Sequence, residues 1–283
     1  MERRQVGTVK ELYRYPVKSL LGERLGEFDA TTAGVIGDRA WALIDETDGR
    51  VMSAKKFRTM LDLRAVYDRP PVAEPASAAA PQITLPDGRK FFTDDPSAAA
   101  ALSALLNRKL KLARVQPAQK TKAGIDPTTI FGEVGVSRIF PDRDETTMPP
   151  DFKLMRGTFF DSATVHVLCS GTLDHMRALV GEGARLDARR FRPNIVVATP
   201  PDAQGFVEDG WLNGRLEIGE HVRIVAMEPA LRCVMTTHPQ EDLPRDPRVL
   251  RAAADHHRAT VGVFAAIGYP GTVRVGDPVW LAV

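Results

Sequence analysis

The sequence is poor in the residues that build most protein metal sites and disulfide frameworks. Its 283 residues include two cysteines and six histidines. Cys169 and Cys233 lie far apart in the chain, and two cysteines cannot form a zinc site by themselves. The histidines show no paired spacing of the kind that metal ligands adopt. So low a cysteine content is typical of a reduced protein, and we expect a cytoplasmic localisation.

A charge imbalance and long apolar runs are also missing. The 38 lysines and arginines nearly balance the 36 acidic residues, which gives a formal net charge of +2. We expect no nucleic-acid partner, because proteins that bind duplexes usually carry a concentrated basic surface. No segment approaches the roughly 20 apolar residues that span a bilayer, and residues 1–7 lack the apolar core of a secretory signal. We therefore expect no association with membranes.

The composition that is present, 43% hydrophobic and 26% charged, is ordinary for a globular protein with one large or two small domains. Apolar segments rich in β-branched and aromatic residues predict strands at 8–15, 39–45, 61–67, 82–92 and 164–169. Two similar segments, 216–224 and 273–281, each read as strand, Gly-acid turn and strand. Such corners suit a closed β-barrel, so the sequence predicts a mainly β fold in two parts.

Helices are predicted in three places, each with a start or stop signal or a run of good helix formers: 95–110, 170–180 and 246–257. Residues 116–155 are polar, rich in glycine and proline, and weakly periodic. We interpret them as a long connection across a domain boundary, with short strands around 137–140.

The segment Arg232-Cys-Val-Met-Thr-Thr237 combines residue types that suit a soft metal and a phosphate. The thiolate of Cys233 is a soft ligand and a nucleophile. Arg232 can hold a phosphate with two parallel hydrogen bonds, and Thr236 and Thr237 add hydroxyl groups. This chemistry suits a metal carried by a phosphorylated organic cofactor. The alternative is that Cys233 is an inert packing residue, as most lone cysteines are.

A second segment places three arginines, at positions 189, 190 and 192, before an apolar strand. Pro193 disfavours helical backbone at the preceding residue, so we expect Arg192 to be extended, with its guanidinium held in a restricted direction. Asn194 offers a donor and an acceptor to the edge of a heterocycle. The alternative is a solvated loop that enters a core strand.

Three further turns offer a cation, hydroxyl groups or free backbone amides. Lys18 and Ser19 lie in the first, and Arg39 lies at a strand entrance in the second. In the third, Ser170 and Thr172 follow a strand at the start of a helix, where backbone N–H groups can bind an anion. Plain N-capping by Ser170 or Thr172 is the more common alternative.

Five motifs together resemble the signatures of a known family. They are Tyr15-Pro-Val-Lys-Ser19, Gly37-Asp-Arg-Ala-Trp41, Arg190-Phe-Arg-Pro-Asn-Ile195, Arg232-Cys-Val-Met-Thr-Thr237 and Gly271-Thr-Val-Arg-Val-Gly-Asp-Pro278. Their order and spacing resemble MOSC-domain proteins, which are named after the C-terminal domain of molybdenum cofactor sulfurase. The resemblance covers nearly the whole chain. It implies an N-terminal β-barrel domain over 1–118 and a MOSC domain over 119–283, with a cofactor held between them.

The resemblance implies the molybdenum cofactor, Mo-molybdopterin, and a set of residues that bind it. Cys233 would be the metal ligand and the catalytic residue. The residues implied to hold the pterin and its phosphate carry a cation, an amide or a hydroxyl: Lys18, Ser19, Arg39, Ser170, Thr172, Arg192, Asn194, Arg232, Thr236 and Thr237. Several cations and oriented donors are what a phosphate dianion requires.

The implied reaction is the two-electron reduction of a small N-hydroxylated or other N-oxygenated compound with loss of water. The resemblance is to monomeric enzymes that receive electrons from a separate protein, such as a ferredoxin or a flavoprotein reductase. One alternative is a cofactor carrier or sulfur-transfer protein that uses Cys233 without redox turnover. Another is a metal-free β-barrel binding module.

Two positions depart from the pattern of the family. His238 follows the two threonines where related reductases often have an acidic residue. Phe264 stands where a tyrosine is frequent, which removes one hydroxyl group near the expected site.

Overall fold

The computed structural model describes residues 3–72, 79–116 and 119–282, and over these ranges strands clearly predominate. The strands are β1 (Arg3–Arg14), β2 (Glu23–Leu25), β3 (Glu27–Thr31), β4 (Gly34–Val35), β5 (Trp41–Asp45), β6 (Arg64–Val66), β7 (Gln82–Thr84), β8 (Lys90–Phe92), β9 (Leu110–Arg114), β10 (Lys122–Gly124), β11 (Asp151–Lys153), β12 (Val165–Cys169), β13 (Ile195–Ala198), β14 (Arg215–Ile218), β15 (Val222–Leu231), β16 (Thr260–Tyr269), β17 (Gly271–Arg274) and β18 (Pro278–Ala282). The predicted mainly β fold class is confirmed.

The helices are short and separate groups of strands. Over the described ranges they are α1 (Pro96–Leu106), α2 (Val136–Ile139), α3 (Ser170–Val180) and α4 (Arg248–His257), with 3-10 turns at Arg58–Asp62, Gly132–Val134, Ala188–Phe191, Val207–Trp211 and Val234–Thr237. Among the residues described, no helix has both the length and the apolar character that crossing a bilayer requires.

Two compact units make up the chain, and neither is continuous in sequence. The first comprises Met1–Tyr13, Arg24–Ile36 and Ala163–Val283, and the second comprises Arg14–Glu23 and Gly37–Ser162. The resemblance implied one domain over residues 1–118 and another over 119–283. That boundary stays a prediction.

Seven strands of the first unit form a closed barrel in the order β13-β12-β16-β15-β14-β18-β1, and β1 pairs back onto β13. Only β12 and β13 pair in parallel within this ring. Closure places Leu12 of β1 opposite Ile195 of β13, and both side chains are buried in one apolar cluster that fills the unit. Because closure pairs every strand on both sides, the barrel has no free sheet edge.

The two Gly-acid turns predicted as barrel corners are confirmed as strand–turn–strand segments. Gly219 connects β14 with β15 and has a φ of 57°, whereas Gly276 connects β17 with β18 and has a φ of 94°. Both values lie in the left-handed region that glycine adopts without strain. The second segment leaves the barrel, because β17 pairs with β3 while β18 stays in the ring.

The second unit is built from small antiparallel sheets, in which β5 pairs with β9, β10 with β11, and β7 with both β6 and β8. Ala42, Ile44, Val51 and Phe159 are buried in one of its apolar clusters. The hairpin predicted at 82–92 is formed by β7 and β8.

Three local predictions are wrong. The strand predicted at 61–67 begins only at Arg64, because Leu61 and Asp62 end the 3-10 helix Arg58–Asp62. The first helix ends at Leu106 and not at 110, because Asn107 takes a left-handed C-cap conformation and Leu110 begins β9 opposite Asp45. The segment predicted as strand around 137–140 forms α2, since the Val136 amide donates to the carboxylate of Glu145 at 3.0 Å and the chain closes a helical turn. The pairing of Leu110 with β5 and the hydrogen bond from Val136 to Glu145 both involve partners outside the local sequence pattern.

Leu12 provides a test of barrel closure. Leu12→Ala removes a side chain with no exposed surface and leaves a cavity in the barrel, so we expect it to lower the free energy of unfolding by about 2–5 kcal/mol. Val225→Ala is the control, because Val225 is 40% exposed on the same barrel and should cost less than about 0.5 kcal/mol. Denaturant unfolding measures both, and equal losses would contradict the packing described.

Candidate functional site

Cys233 lies two residues beyond the end of β15, where the chain turns into a 3-10 helix. Its backbone is extended, with φ −134° and ψ −174°, and it is the N-cap residue of Val234–Thr237. The Thr236 hydroxyl donates to the Cys233 carbonyl at 3.0 Å, and the Thr237 hydroxyl donates to the Val234 carbonyl at 2.7 Å. Both threonines are buried, whereas Cys233 is a free cysteine of intermediate exposure. The two hydroxyl groups therefore stabilise the turn that carries Cys233.

Arg232 connects the cysteine segment to the segment that carries Arg192. Its buried guanidinium donates to the Phe191 carbonyl at 2.9 Å and to the Ala230 carbonyl at 2.8 Å. The same group lies 5.4 Å from the ring centre of Phe264, which occupies the position where a tyrosine was expected. These contacts give Arg232 a structural role. Its contact with a phosphate stays a prediction.

Arg190 supplies the matching connection from the other segment. The residue is 1% exposed, and its guanidinium donates to the carbonyls of Thr236 and His238, each at 3.3 Å, and to that of Pro244 at 2.7 Å. A fourth hydrogen bond, from Nε, reaches the Arg185 carbonyl at 3.0 Å. The sequence did not single out Arg190 for this role, because three nearly adjacent arginines carry no pattern that says which one turns inward.

The extended conformation expected for Arg192 is wrong. Its φ of 55° and ψ of 51° are left-handed, and its amide donates to the Arg189 carbonyl at 3.2 Å, which ends the 3-10 helix Ala188–Phe191. Helices commonly end in a left-handed residue, and here that requirement prevails over the preference imposed by Pro193 for an extended chain. Arg192 nevertheless has a fixed backbone, as the prediction required, for a different reason.

Left-handed backbone is shared by three residues that were predicted to bind the cofactor. Ser19 has a φ of 67°, Arg39 of 45° and Arg192 of 55°. L-residues with side chains adopt this region infrequently, and backbone strain tends to concentrate at functional sites. Five other non-glycine residues of the described ranges share this conformation, so it fixes the backbone of these three positions without assigning them a ligand.

Asn194 lies just before β13 and forms hydrogen bonds with two other strands of the barrel. Its side-chain carbonyl accepts from the His166 amide at 3.1 Å, and its side-chain NH₂ donates to the Tyr13 carbonyl at 3.3 Å. Its backbone also pairs with both residues. Asn194 thus connects β1 and β12 by hydrogen bonds, and the predicted contact with a heterocycle stays a prediction.

Helix α3 begins at Ser170, as predicted, but neither Ser170 nor Thr172 caps it. The Ser170 hydroxyl is 3.2 Å from that of Thr199, which also accepts from the Gly171 amide at 3.0 Å. The Thr172 hydroxyl donates to the buried carboxylate of Glu208, and burial raises the pKa of that carboxyl. These hydrogen bonds fix the start of α3 to residues 199–208. An anion contact there stays a prediction.

Cys169 differs from Cys233 in every respect that matters for reactivity. It is fully buried in the barrel cluster. Burial, with a further contribution from the nearby Glu208 carboxylate, raises the pKa of its thiol. Cys169 is therefore a packing residue of the barrel.

In the second unit, Lys18 lies in a cluster of charged side chains. Its Nζ donates to the Phe159 carbonyl at 2.8 Å and to the carboxylate of Asp161. The other Asp161 oxygen accepts from Lys55 Nζ at 2.8 Å. Arg39 lies over the Phe160 ring, 5.4 Å from its centre. The sequence analysis did not identify Lys55 and Asp161, since neither belongs to a motif whose spacing indicates a site.

The charges of this cluster shift its pKa values. Burial lowers the pKa of Lys18 to about 8, because the Asp161 carboxylate only partly offsets burial and the like charges of Arg39 and Lys55. Burial opposes ionisation of Asp161, but the cations Lys18, Lys55 and Arg39 hold the pKa of its carboxyl well below the usual range. Three cations thus surround one carboxylate.

The positive charge of the second-unit cluster fits an anion. No group of three or more His, Cys, Asp or Glu in the described ranges could hold a metal ion alone, so a metal here would need ligands of its own besides one protein thiol. Arg39 Nε is buried and has no hydrogen-bond partner among the residues described. An acceptor oxygen of a bound phosphate would satisfy it.

Comparisons with known proteins identify the family of the chain. Residues 155–280 match the family model for the MOSC domain, and residues 6–95 match that for the MOSC N-terminal beta barrel domain. The chain is similar to mitochondrial amidoxime-reducing component 1 from Mus musculus, with 26% identity over 98% of this chain and 83% of the relative. The Homo sapiens protein of that name shows 23% identity over the same shares. The crystal structure of the YuaD protein from Bacillus subtilis aligns over 99% of this chain and 97% of its own, with 11% identity and a TM-score of 0.47.

Arg190 and its neighbour Arg189 provide a matched pair of variants. Arg190→Ala leaves four backbone carbonyls without their charged donor, so we expect a loss of at least about 3 kcal/mol in the free energy of unfolding. Arg189→Ala removes ion pairs with the partly exposed Asp187, Glu241 and Asp242 and should cost about 1 kcal/mol or less. Denaturant unfolding compares the two, and a larger loss for Arg189→Ala would contradict the role given to Arg190.

Proposed function

Because the chain belongs to the MOSC-domain proteins with an N-terminal MOSC β-barrel domain, we propose that it is a molybdenum-cofactor oxidoreductase that reduces N-hydroxylated or other N-oxygenated compounds. The observation that carries this proposal is the partly exposed thiol of Cys233 on a turn fixed by Thr236, Thr237 and the two buried arginines. The names of the relatives, amidoxime-reducing components, support a reductase at low identity.

In the first unit, Cys233 would give its thiolate to the metal. A thiolate is a suitable third sulfur ligand for molybdenum that arrives on the two sulfurs of a pterin. Arg192, whose backbone is fixed in the left-handed conformation, would hold an anionic part of the cofactor. The bound cofactor would supply the two-electron chemistry at the substrate oxygen, while the chain supplies binding and orientation.

In the second unit, Lys18, Ser19 and Arg39 would hold a phosphate. The surplus of positive charge around Asp161 supports this assignment, as does the buried Arg39 Nε. Electrons would come from a separate protein, such as a ferredoxin or a flavoprotein reductase, because the two cysteines in the sequence are too few for a four-cysteine iron–sulfur cluster.

The two cysteines allow a direct test. Protein from a host that makes the molybdenum cofactor should contain molybdenum and reduce benzamidoxime with an artificial electron donor. Cys233→Ala should abolish turnover and change the molybdenum absorption or paramagnetic spectrum, because a sulfur ligand is lost, while much of the pterin remains bound. Cys169→Ala should keep most of the activity and lose about 1 kcal/mol or more of stability, since it leaves a small cavity in the barrel.

Three outcomes would contradict the proposal. Full activity in Cys233→Ala would exclude the thiolate as the metal ligand. An equal loss of reductase activity in Cys233→Ala and Cys169→Ala would indicate that the two cysteines share a structural or redox role. Wild-type protein that holds stoichiometric molybdenum but shows no turnover would favour a cofactor carrier or sulfur-transfer protein.

Arg192 tests cofactor retention in the first unit. Arg192→Ala should lower affinity for the pterin about ten- to a hundredfold, because it removes charge-assisted hydrogen bonds that contribute about 1.5–3 kcal/mol. Arg185→Ala is the control, since Arg185 is an exposed arginine of the same unit that pairs with Asp242. Pterin content after gel filtration gives the readout, and wild-type content in folded Arg192→Ala would remove Arg192 from the site.

A further inference from the structure

The charged cluster of the second unit has an unusual distribution of burial. The side chains of Lys18 and Lys55 are 4% and 13% exposed, whereas the carboxylate that binds both, that of Asp161, is 28% exposed. Arg39 adds a third positive charge that acts on both Lys18 and Asp161. The two lysines are thus more buried than their counter-ion. Together with Arg39 they leave two positive charges in excess over Asp161.

A second carboxylate of the same unit also pairs with two cations, but these cations are exposed to water. Asp151 also binds two cations, Arg50 at 2.9 Å and Lys122 at 3.0 Å. Those cations are 38% and 53% exposed, so water solvates their remaining charge. Around Asp161, by contrast, the excess charge is withdrawn from water, and buried charge is unfavourable unless it is paired. The cluster therefore favours binding of an additional anion.

We propose that Asp161 is a positioning residue that holds Lys18 and Lys55 as charged donors of an anion site, and that Lys55 is a binding residue of that site together with Arg39. The anion that fits two excess positive charges is a phosphomonoester dianion. Its identification with the phosphate of a pterin cofactor rests on the function proposed above, whereas the positioning of Lys18 does not.

The physical reason for the role of Asp161 is the repulsion among the cations. The charged groups that act on Lys18 are Asp161, which favours its protonated form, and Arg39 and Lys55, which disfavour it. Burial of Lys18 acts in the same direction as these two cations. Without the carboxylate, the pKa of Lys18 would be lower still, so less of Lys18 would carry the charge that attracts an anion. Asp161 thereby controls the pH range over which the site is charged.

The first experiment follows Lys18 itself in protein from a host that lacks the cofactor. NMR of the lysine side chains over a pH series gives the midpoint of Lys18 in wild type, Asp161→Asn, Lys55→Met and the control Asp151→Asn. We expect the midpoint to fall by about one unit or more in Asp161→Asn, a tenfold shift in protonation. The Lys18 midpoint should rise in Lys55→Met, because a neighbouring positive charge is lost. It should stay unchanged in Asp151→Asn.

An unchanged Lys18 midpoint in folded Asp161→Asn would overturn the positioning role. If Asp161→Asn does not fold, Lys55→Met decides the question, because a midpoint that fails to rise shows that the two ammonium groups do not interact. Both measurements of the Lys18 midpoint are made on protein without the cofactor.

The second experiment measures pterin content after dialysis at several pH values in protein that carries the cofactor. At pH 6 Lys18 is charged in wild type and largely charged in Asp161→Asn, so both should retain pterin. At pH 8 the variant should retain several-fold less, because its Lys18 has lost the proton. Lys55→Met should retain less pterin than wild type at both pH 6 and pH 8, and Asp151→Asn should retain as much as wild type.

The outcomes separate the two proposals. A loss in Asp161→Asn that is equal at pH 6 and pH 8 would indicate a merely structural role and overturn the positioning proposal. If Lys55→Met retains as much pterin as wild type, Lys55 is not a binding residue of the site. Absence of pterin from wild-type protein would instead refute the proposed function, while the Lys18 titration would still decide the role of Asp161.

Discussion

The hydrogen bonds that Arg190 and Arg232 make across two chain segments are the constraint on which the rest of the first-unit site depends. Arg190 donates to the carbonyls of Thr236 and His238, and Arg232 donates in return to the Phe191 carbonyl. Burying two guanidinium groups is unfavourable, but each is matched by carbonyl acceptors. Because the connection runs in both directions, the turn of Cys233 and the segment ending at Arg192 cannot move independently.

The barrel supplies the frame for this connection. β15 ends just before Cys233, and Asn194 joins β1 to β12 just before β13 begins. Between the arginine connection and Asn194, Arg192 is held in a left-handed conformation that an unconstrained chain would leave. The second unit has a different arrangement: three cations, Lys18, Lys55 and Arg39, act on the single Asp161 carboxylate and leave positive charge in excess.

Much of the architecture could be predicted from the sequence, because it follows from local patterns. The alternation of apolar residues indicated the mainly β fold, Gly219 and Gly276 marked the turns, and the helix at Ser170 began where predicted. The errors came where a distant partner decides the conformation. Glu145 turns a β-like segment into α2 by binding the Val136 amide, and pairing with β5 draws Leu110 out of the first helix.

For the candidate site, the sequence by itself determined which chemical groups are available. These are the thiol of Cys233 beside an arginine and two threonines, and motifs that resemble those of a family. Only the tertiary structure decided which of these groups bind inward, to backbone carbonyls. Arg190, Arg192 and Arg232 are chemically identical, yet Arg190 and Arg232 donate to backbone carbonyls and Arg192 ends a helix in a strained conformation. Lys55 and Asp161 join Lys18 only through folding, because electrostatic interaction depends on distance in space and on burial, neither of which sequence separation encodes.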